Sequence, residues 1–330
     1  RKLVHEAPRM LSWLERKGVK FQDKVIEIYG SHFPRCHKPI FPNGTAYVRA
    51  LSGALMQRKV NVLTETKAIE LVEDDNGRVI GIKAASKGNE FFIRARKGVI
   101  LAAGGFGANL KTVAAFDPRL KGLPSNCSSG STGDMLFAAR RIGASVIDLN
   151  EIQCLPGPIS NKGIRVRFHN DVRRFVFVND EGQRFVDERA RRDELKEKIL
   201  VQNNKSCYCI IDNDGLETLD LLVRRDAIRA AETSDAVKAQ SLEELASALN
   251  IPATTLTNTI EERNAEIAFD KPQSRRFPIQ TAPFWAARVG MRIHYTMGGL
   301  QINEKAQCLK EGKTILGLYA AGEITGGIHG

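Results

Sequence analysis

The sequence predicts an α/β protein with a mixed α+β domain inserted into it, and three observations predict this class. The chain has 330 residues, which is more than one compact core usually takes. Strand-rich segments at both ends flank a helix-rich middle, and three strands or loops end in glycine-rich stretches. We therefore expect one α/β domain built from residues 1–151 and 291–330, with residues 152–290 inserted as a separate α+β domain.

The first half of the chain alternates helix and strand signals. Apolar residues at helical spacing predict helices over residues 8–19 and 46–59. Alternating apolar residues on both sides of Asn76-Gly77 predict a β-hairpin, because this pair favours the tight turn that joins two strands. The apolar run from Val99 to Ala103 is typical of a buried parallel strand.

The middle of the chain is richer in helix. A second turn is predicted at Asp180–Gly182, within RRFVFVNDEGQRFVDE. Cys207 and Cys209 alternate in the strand pattern SCYCIIDND, so we expect two buried thiols on one face. Helical segments follow, and the last of them is expected to carry Pro252 in its first turn, where proline is favoured.

Composition and charge exclude several classes of function. The chain is 42% apolar and 26% charged, as is usual for a globular protein, and no apolar run approaches the ~20 residues that span a membrane. The net charge is +11, but the basic residues are scattered and no nucleic-acid-binding motif is present. None of the six cysteines lies in CxxC, so we expect no zinc or c-type haem site. The excess charge suits either an ordinary basic surface or a channel for anionic substrates.

Three glycine-bearing junctions carry the clearest chemical signal. VILAAGGFGAN reaches Gly104 and Gly105 directly after a strand, GSTGDM (130–135) precedes a helix, and GLYAAGEITGG contains a single acid, Glu323. Glycine lets the backbone approach a phosphate or a ring closely, and the amides at a helix N-terminus favour anions. One such junction is explained equally well by a tight turn, whereas three in one chain are harder to explain in that way and favour a functional role.

Five strings in this order resemble a known family: AAGGFGAN, STGD, NDEGQRFVDE followed by RRD, HYTMGGLQI, and GLYAAGEITGGIHG. Over essentially all 330 residues the sequence resembles the soluble fumarate reductase and flavocytochrome c branch of the fumarate reductase–succinate dehydrogenase flavoprotein family. The resemblance implies a Rossmann-like FAD-binding domain in 1–151 and 291–330, closed by a capping domain in 152–290. It also implies that a hydride passes from flavin N5 to the double bond of a small unsaturated carboxylate.

The resemblance further implies the residues of the site. His294, in HYTMGG, would hold a substrate carboxylate with Thr296 beside it, which suits the N–H donor of an imidazole. The residues implied to contact FAD are Ala103, Gly104, Gly105, Thr132, Gly133, Asp134, Met297, Gly298 and Glu323.

Arg192, in RARRDELKEKIL, corresponds to the arginine that the family uses as general acid and to bind substrate. Arginine is not normally deprotonated in proteins, so this role rests on the resemblance rather than on pKa. Arg191 is the alternative by a one-residue shift. Glu188 or Asp187 would orient the arginine, although a charged helix start explains both acids equally well.

One segment departs from the fumarate-specific relatives. They carry a histidine in a QAHPT-like string where this chain has Leu155 in QCLPGP, and their TEAVR-like string falls in RVRFHNDVRR (165–174) without a fixed register. A second carboxylate would then lack this partner, and a buried unpaired carboxylate is costly. Basic side chains of that string, Arg165, Arg167 or His169, are the candidates to replace it.

These observations favour an FAD-dependent reductase of an α,β-unsaturated carboxylate. Fumarate competes with urocanate, acrylate-like and aryl-acrylate substrates, and Leu155 favours a substrate whose far end is apolar. The alternatives are a dehydrogenase of succinate or of a ketosteroid, and a non-catalytic flavin-binding module. The ketosteroid enzyme is disfavoured because it would need a tyrosine acid at the carbonyl rather than HYTMGG and RRD.

The resemblance implies that parts of the family's site lie outside residues 1–330. These parts are the GxGxxG loop for the FAD diphosphate, the acid for the adenosine ribose, and a substrate-binding arginine after Gly330. We therefore expect residues 1–330 alone to bind FAD weakly or not at all. Electrons are expected from another domain or protein, and the compartment is left open between bacterial periplasm and cytoplasm.

Overall fold

The computed structural model describes residues 2–26, 35–41, 44–272 and 275–328. The α-helices are α1 (Lys2–Arg16), α2 (Thr45–Gln57), α3 (Leu110–Phe116), α4 (Asp134–Arg141), α5 (Arg192–Leu200), α6 (Asn213–Glu217), α7 (Leu221–Glu232), α8 (Leu242–Leu249) and α9 (Ala253–Ala265). The strands are β1 (Lys67–Glu73), β2 (Val79–Ser86), β3 (Asn89–Arg94), β4 (Val99–Leu101), β5 (Val146–Ile147), β6 (Ile152–Pro158), β7 (Val176–Val178), β8 (Ser206–Ile211), β9 (Ala236–Ala239), β10 (Phe284–Thr296), β11 (Gly299–Leu300), β12 (Gln307–Lys310) and β13 (Lys313–Ala320).

These elements form two compact units. The first unit contains the described parts of residues 1–105, 133–149 and 297–330. The second contains the described parts of residues 106–132 and 150–296. The chain therefore passes from one unit to the other several times.

The first unit is built from small sheets. Strands β1, β2 and β3 form an antiparallel sheet, and β5 pairs with β11. A third sheet has the order β12-β13-β4, in which β13 and β4 are parallel. Because the carboxyl ends of parallel strands meet at one edge, the residues that follow β4 and β13 lie next to each other.

The second unit is a larger sheet covered by helices. Its strand order is β6-β10-β8-β7, and β9 also pairs with the long central strand β10. Its core includes fully buried aliphatic side chains from the sheet and from α8 and α9, such as Ile210, Leu245 and Leu256. Burial of each such side chain contributes about 1.5–3 kcal/mol, which explains why these short helices hold their place.

The segment 106–132 joins the second unit because of backbone pairing. The carbonyl of Pro124 accepts from the amide of Ile293 (2.9 Å), and the amide of Asn126 donates to the carbonyl of Ile293 (3.0 Å). The sequence-based division leaves this segment in 1–151, since nothing in its local pattern indicates that it lies along β10.

Several local predictions are confirmed. β1 and β2 form the antiparallel hairpin, with Gly77 in the left-handed region (φ 73°). The second turn has Gly182 at φ 80° between Val178 and Arg184, which form a bridge. Cys207 and Cys209 are both buried in β8, and burial raises the pKa of each thiol above its usual range.

Three sequence-based expectations are wrong in detail. The first helix covers Lys2–Arg16 instead of residues 8–19, since its earlier turns continue the helix although no side chain of it is buried. Pro252 is the N-cap of α9 and lies just before the first turn. β4 stops at Leu101, and Ile100 is 69% exposed, so only one face of this strand is covered within the described residues.

Candidate active site

His294 lies at an irregularity in β10. Ile293 is paired with Cys154 of β6 and Tyr295 with Gln153, so His294 is the extra residue of a β-bulge. A bulge re-aims a side chain out of the regular alternation, and bulges are frequent beside active sites. The fully buried Ile293 anchors the strand here, and the His294 imidazole is half-buried.

Asn126 holds the His294 ring. The Oδ1 atom of Asn126 lies 2.9 Å from Nδ1 of His294, and backbone pairing of Asn126 with Ile293 fixes its position. The sequence did not predict this residue. It stands in the serine-rich loop SNCSSG, 168 residues away along the chain, and no local pattern indicates the contact.

Arg192 is the first residue of α5, and its side chain turns towards β6. Its Nη1 atom donates to Oε1 of Gln153 at 2.6 Å, and Gln153 is the register partner of Tyr295 beside His294. Arg191, the alternative by a one-residue shift, is exposed and pairs with Asp193 (3.0 Å). The geometry therefore favours Arg192 as the arginine of this site.

The acids expected to orient Arg192 have other partners. Glu188 is fully buried, accepts from the amide of Phe177 (2.9 Å) and pairs with Arg184 (2.8 Å). Asp187 pairs with Arg189 (2.9 Å). These contacts brace the loop that leads to α5, so Glu188 and Asp187 act on the backbone before Arg192, whereas Gln153 contacts the Arg192 side chain itself.

The electrostatics of the site favour a bound anion. Burial and, after it, the positive charge of Arg192 lower the pKa of His294 below its usual range. Oδ1 of Asn126 can only accept, so the single proton of the neutral ring lies on Nδ1 and is donated to Asn126. A carboxylate beside Nε2 would raise the pKa of His294 again, so that the ring takes up a proton and Nε2–H becomes a donor next to the guanidinium. A carboxylate placed between the two would receive hydrogen bonds from both.

Thr296 is fully buried, and its Oγ1 accepts from the amide of Phe106 at 3.4 Å. Gly107 next to it has no room for a side chain, because a Cβ atom would overlap Sγ of Cys127. The thiol of Cys127 in turn contacts the carbonyl of His294 (3.2 Å). These contacts fasten the segment 106–132 to the end of β10 and fix the backbone of His294.

Leu155 lies on the same face of β6 as Gln153. It is half-buried and stands directly opposite Arg292 of β10. His169, one of the candidates to replace a carboxylate partner here, is buried, and burial together with the charge of Arg167 lowers its pKa to about 4. His169 is therefore neutral and packed in the core, which does not suit that role.

The candidate cofactor residues of the first unit gather at two places. Ala103 and Gly104 follow β4, and the turn that contains Glu323 follows the parallel strand β13. The amide of Ala321 donates to the carbonyl of Leu101 at 3.0 Å, which holds the two ends together. Gly104 has φ 76°, a conformation that favours glycine, and Gly105 is buried.

Gly133 and Asp134 form the second place. Gly133 caps α4 in the left-handed region (φ 79°) without a side-chain cap, so the amides of the first turn are open to an anion. Asp134 pairs with Lys67 at 2.7 Å. Thr132 belongs to the second unit, where its carbonyl accepts from Asn109 (3.3 Å).

Met297 is half-buried, and Gly298 is fixed by packing. A Cβ atom on Gly298 would overlap the carbonyl oxygen of Asp148. Bare backbone and small side chains at the end of parallel strands, together with an uncapped helix N-terminus, fit the close approach of a large planar cofactor with a diphosphate. The residues present in this unit are thus compatible with FAD.

Two further searches concern the described residues only. Among them, no group of three or more His, Cys, Asp or Glu side chains is placed to hold a metal ion. In the part of the chain that the structure describes, no helix is long and apolar enough to cross a membrane.

The fold and the residues at the strand ends define a flavin-binding oxidoreductase. The chain belongs to the FAD-binding domain family (FAD_binding_2), whose family model matches residues 1–330, so FAD is its cofactor. This result confirms the family predicted from the sequence.

The chain is similar to several flavoproteins. It is 34% identical to an NADH:acrylate oxidoreductase of Vibrio harveyi, over 99% of this chain and 34% of that protein. It is 32% identical to a fumarate reductase (cytochrome) of Shewanella frigidimarina, over 97% of this chain and 56% of that protein. The structure of a flavocytochrome c3 fumarate reductase in an open conformation superposes with a TM-score of 0.74 at 28% identity, covering all of this chain and 59% of the other. The α/β fold class is thereby confirmed, and the chain spans between a third and three fifths of these proteins.

Proposed function

We propose that the chain serves in an FAD-dependent reductase of an α,β-unsaturated carboxylate. The observation that carries the proposal is that His294 and Arg192, which interact electrostatically within the second unit, are each held by an amide side chain. This pair suits one carboxylate of a small substrate. Relatives named for acrylate and for fumarate support the same class of substrate.

Each residue has a distinct part in the proposed reaction. His294 takes up a proton when the carboxylate binds and donates Nε2–H to it, while Nδ1–H donates to Oδ1 of Asn126 and keeps the ring from turning. Gly104, Gly105, Gly133, Met297 and their neighbours would hold FAD, which in its reduced form would supply the hydride for the β-carbon. Arg192 supplies the proton for the α-carbon, so that one hydride and one proton convert the double bond to a single bond. Gln153 positions the Arg192 guanidinium for this transfer.

Electrons are proposed to arrive from another domain or from a separate protein. The two relatives are named for NADH and for a cytochrome, and both are considerably longer than this chain. We also propose a division into two domains, a flavin domain in residues 1–151 and 291–330 and a capping domain in residues 152–290. The second unit is proposed as the part that binds substrate.

Leu155 bears on the choice of substrate. It offers no hydrogen bond on the face where Arg192 and Gln153 lie, so the part of the substrate next to it should be apolar. Fumarate would place a carboxylate there, and a site that leaves a polar group unmatched rejects it by ~10²-fold or more.

The test uses the full-length protein with FAD, reduced by an artificial donor under anaerobic conditions. We expect acrylate, methacrylate, urocanate or cinnamate to reoxidise the flavin, with fumarate not the best substrate by kcat/KM. A flavin that bleaches with dithionite but is not reoxidised by any enoate would indicate a non-catalytic flavoprotein and would refute the proposal.

A further inference from the structure

A further positive charge, that of Arg292, lies on the same sheet face as Leu155 and Gln153. Arg292 of β10 is directly opposite Leu155, and residues paired in this way share a face. Gly157, two residues after Leu155, leaves the space that the arginine occupies, because a Cβ atom on Gly157 would lie 2.6 Å from Cδ of Arg292. The Arg292 side chain therefore lies flat on this face, over Gly157.

The charge of Arg292 is not neutralised by an acid. Its Nη2 atom donates to the carbonyl of Pro158 (3.0 Å), and burial followed by the positive charge of Arg165 lowers its pKa. Among the residues that the structure describes, no carboxylate lies within 4.0 Å of Arg292 or Arg165. Arg288, the next arginine on this face of β10, differs in this respect because it pairs with Asp180.

A half-buried guanidinium without an acid partner is unfavourable unless an anion neutralises its charge. A guanidinium has five N–H donors, and one carbonyl uses few of them. The remaining donors of Arg292 are suited to a carboxylate, which guanidinium groups bind in a bidentate manner.

The order of groups along β6 gives the shape of the ligand. Gln153 holds Arg192 at one end, Leu155 provides an apolar surface in the middle, and Gly157 lies under Arg292 at the other end. At ~3.3 Å per residue, the two ends are about 13 Å apart. The two carboxylates of fumarate are separated by only two carbons and are too close to reach both ends.

We propose that Arg292 forms a distal subsite for a second carboxylate, carried by an elongated enoate with an apolar spacer. This inference rests on the proposed function for the position of the reacting carboxylate. It assigns the substrate class of the same site: a rigid dianion, such as cinnamate with a para carboxylate, whose ring lies on Leu155 between Arg192 and Arg292.

The experiment compares three substrates of the reduced full-length holoenzyme: cinnamate, 4-carboxycinnamate and its neutral amide, 4-carbamoylcinnamate. We expect kcat/KM for the carboxylate to exceed that for the amide by about 10- to 100-fold, the range for hydrogen bonds to a charged group. Arg292→Gln should remove this preference, and Arg292→Lys should keep part of it. Arg225→Gln, which removes an exposed positive charge from α7, is the matched control and should keep all of it.

A binding measurement separates this inference from the proposed function. Calorimetry compares the saturated analogues 3-(4-carboxyphenyl)propanoate and 3-(4-carbamoylphenyl)propanoate, and needs no turnover. Absence of turnover with every enoate would refute the reductase. In that case the subsite would still be supported if the dianion binds more tightly than its amide and Arg292→Gln abolishes this difference in binding. Equal binding of the two analogues would overturn the subsite. The same conclusion would follow if Arg292→Gln lowered kcat/KM equally for cinnamate and for 4-carboxycinnamate.

Discussion

Replacement of Asp270 by asparagine tests how the loop that leads to Arg192 is held. The Asp270 side chain is only 5% exposed and accepts from Arg276 through both oxygens, at 2.9 and 3.0 Å. It also pairs with Arg189 (3.3 Å), three residues before Arg192. The substitution Asp270→Asn would keep the shape of the side chain but lose the charge that both arginines use.

The magnitude follows from the pKa of Asp270. Burial alone would raise this pKa, but the hydrogen bonds and the charge of Arg276 outweigh burial and lower it from 3.8 to about 2. At 1.36 kcal/mol per pKa unit, the charge contributes about 2 kcal/mol to the free energy of unfolding. Because the pKa is lower in the folded state, this contribution is complete above the unfolded pKa of 3.8 and is lost as the pH falls through about 2.

The assay is urea unfolding at a series of pH values. Asp270→Asn should lower the free energy of unfolding by about 2 kcal/mol at pH 7, and the difference from wild type should shrink below about pH 4. Asp193→Asn is the matched control, because its side chain is 63% exposed and such surface pairs contribute about 0–1 kcal/mol. An equal cost for both variants at pH 7, or a difference that does not depend on pH, would refute the reasoning.

Three more outcomes are expected in the full-length protein. Arg192→Lys should lower kcat by about 10²–10⁴-fold with flavin binding intact, whereas Arg191→Lys should stay near wild type; the reverse would identify Arg191 as the acid. Asn126→Asp should shift the pH profile of kcat/KM upwards, since an adjacent carboxylate raises the pKa of His294; an unshifted profile would contradict this contact. Gly298→Ala should lower the thermal midpoint strongly, because its Cβ would overlap the Asp148 carbonyl; an unchanged midpoint would show that the backbone can move apart.

Short sequence patterns predicted those parts of the fold that depend on neighbouring residues, such as a turn or the alternation of buried side chains in a strand. Asn76-Gly77 specified its hairpin because the turn needs residues that tolerate positive φ. The alternation of Cys207 and Cys209 predicted burial because one face of β8 meets the core. The exposure of Ile100 could not be predicted from the sequence. An apolar run indicates that a strand is suited to burial, but it does not indicate which other elements pack against each face of the strand.

The site was predictable only in part. His294 and Arg192 are proposed because their neighbouring residues resemble a family's motifs, and the contact of Arg192 with Gln153 favours it over the exposed Arg191. Asn126 and Arg292 were missed for different reasons. The contact of Asn126 with His294 depends on pairing between distant segments of the chain. The position of Arg292 beside the site depends on the strand register, which places it opposite Leu155.

The way the chain alternates between its two units has a consequence for protein engineering. The backbone leaves the first unit after Gly105, returns at Gly133, leaves again after Leu149 and returns at Met297. A fragment cloned as residues 150–296 would therefore lose Asn126 and the strip that lies along β10. Recombination or domain exchange with a relative would have to transfer residues 106–132 together with residues 150–296. Two separate gene segments therefore encode one compact unit.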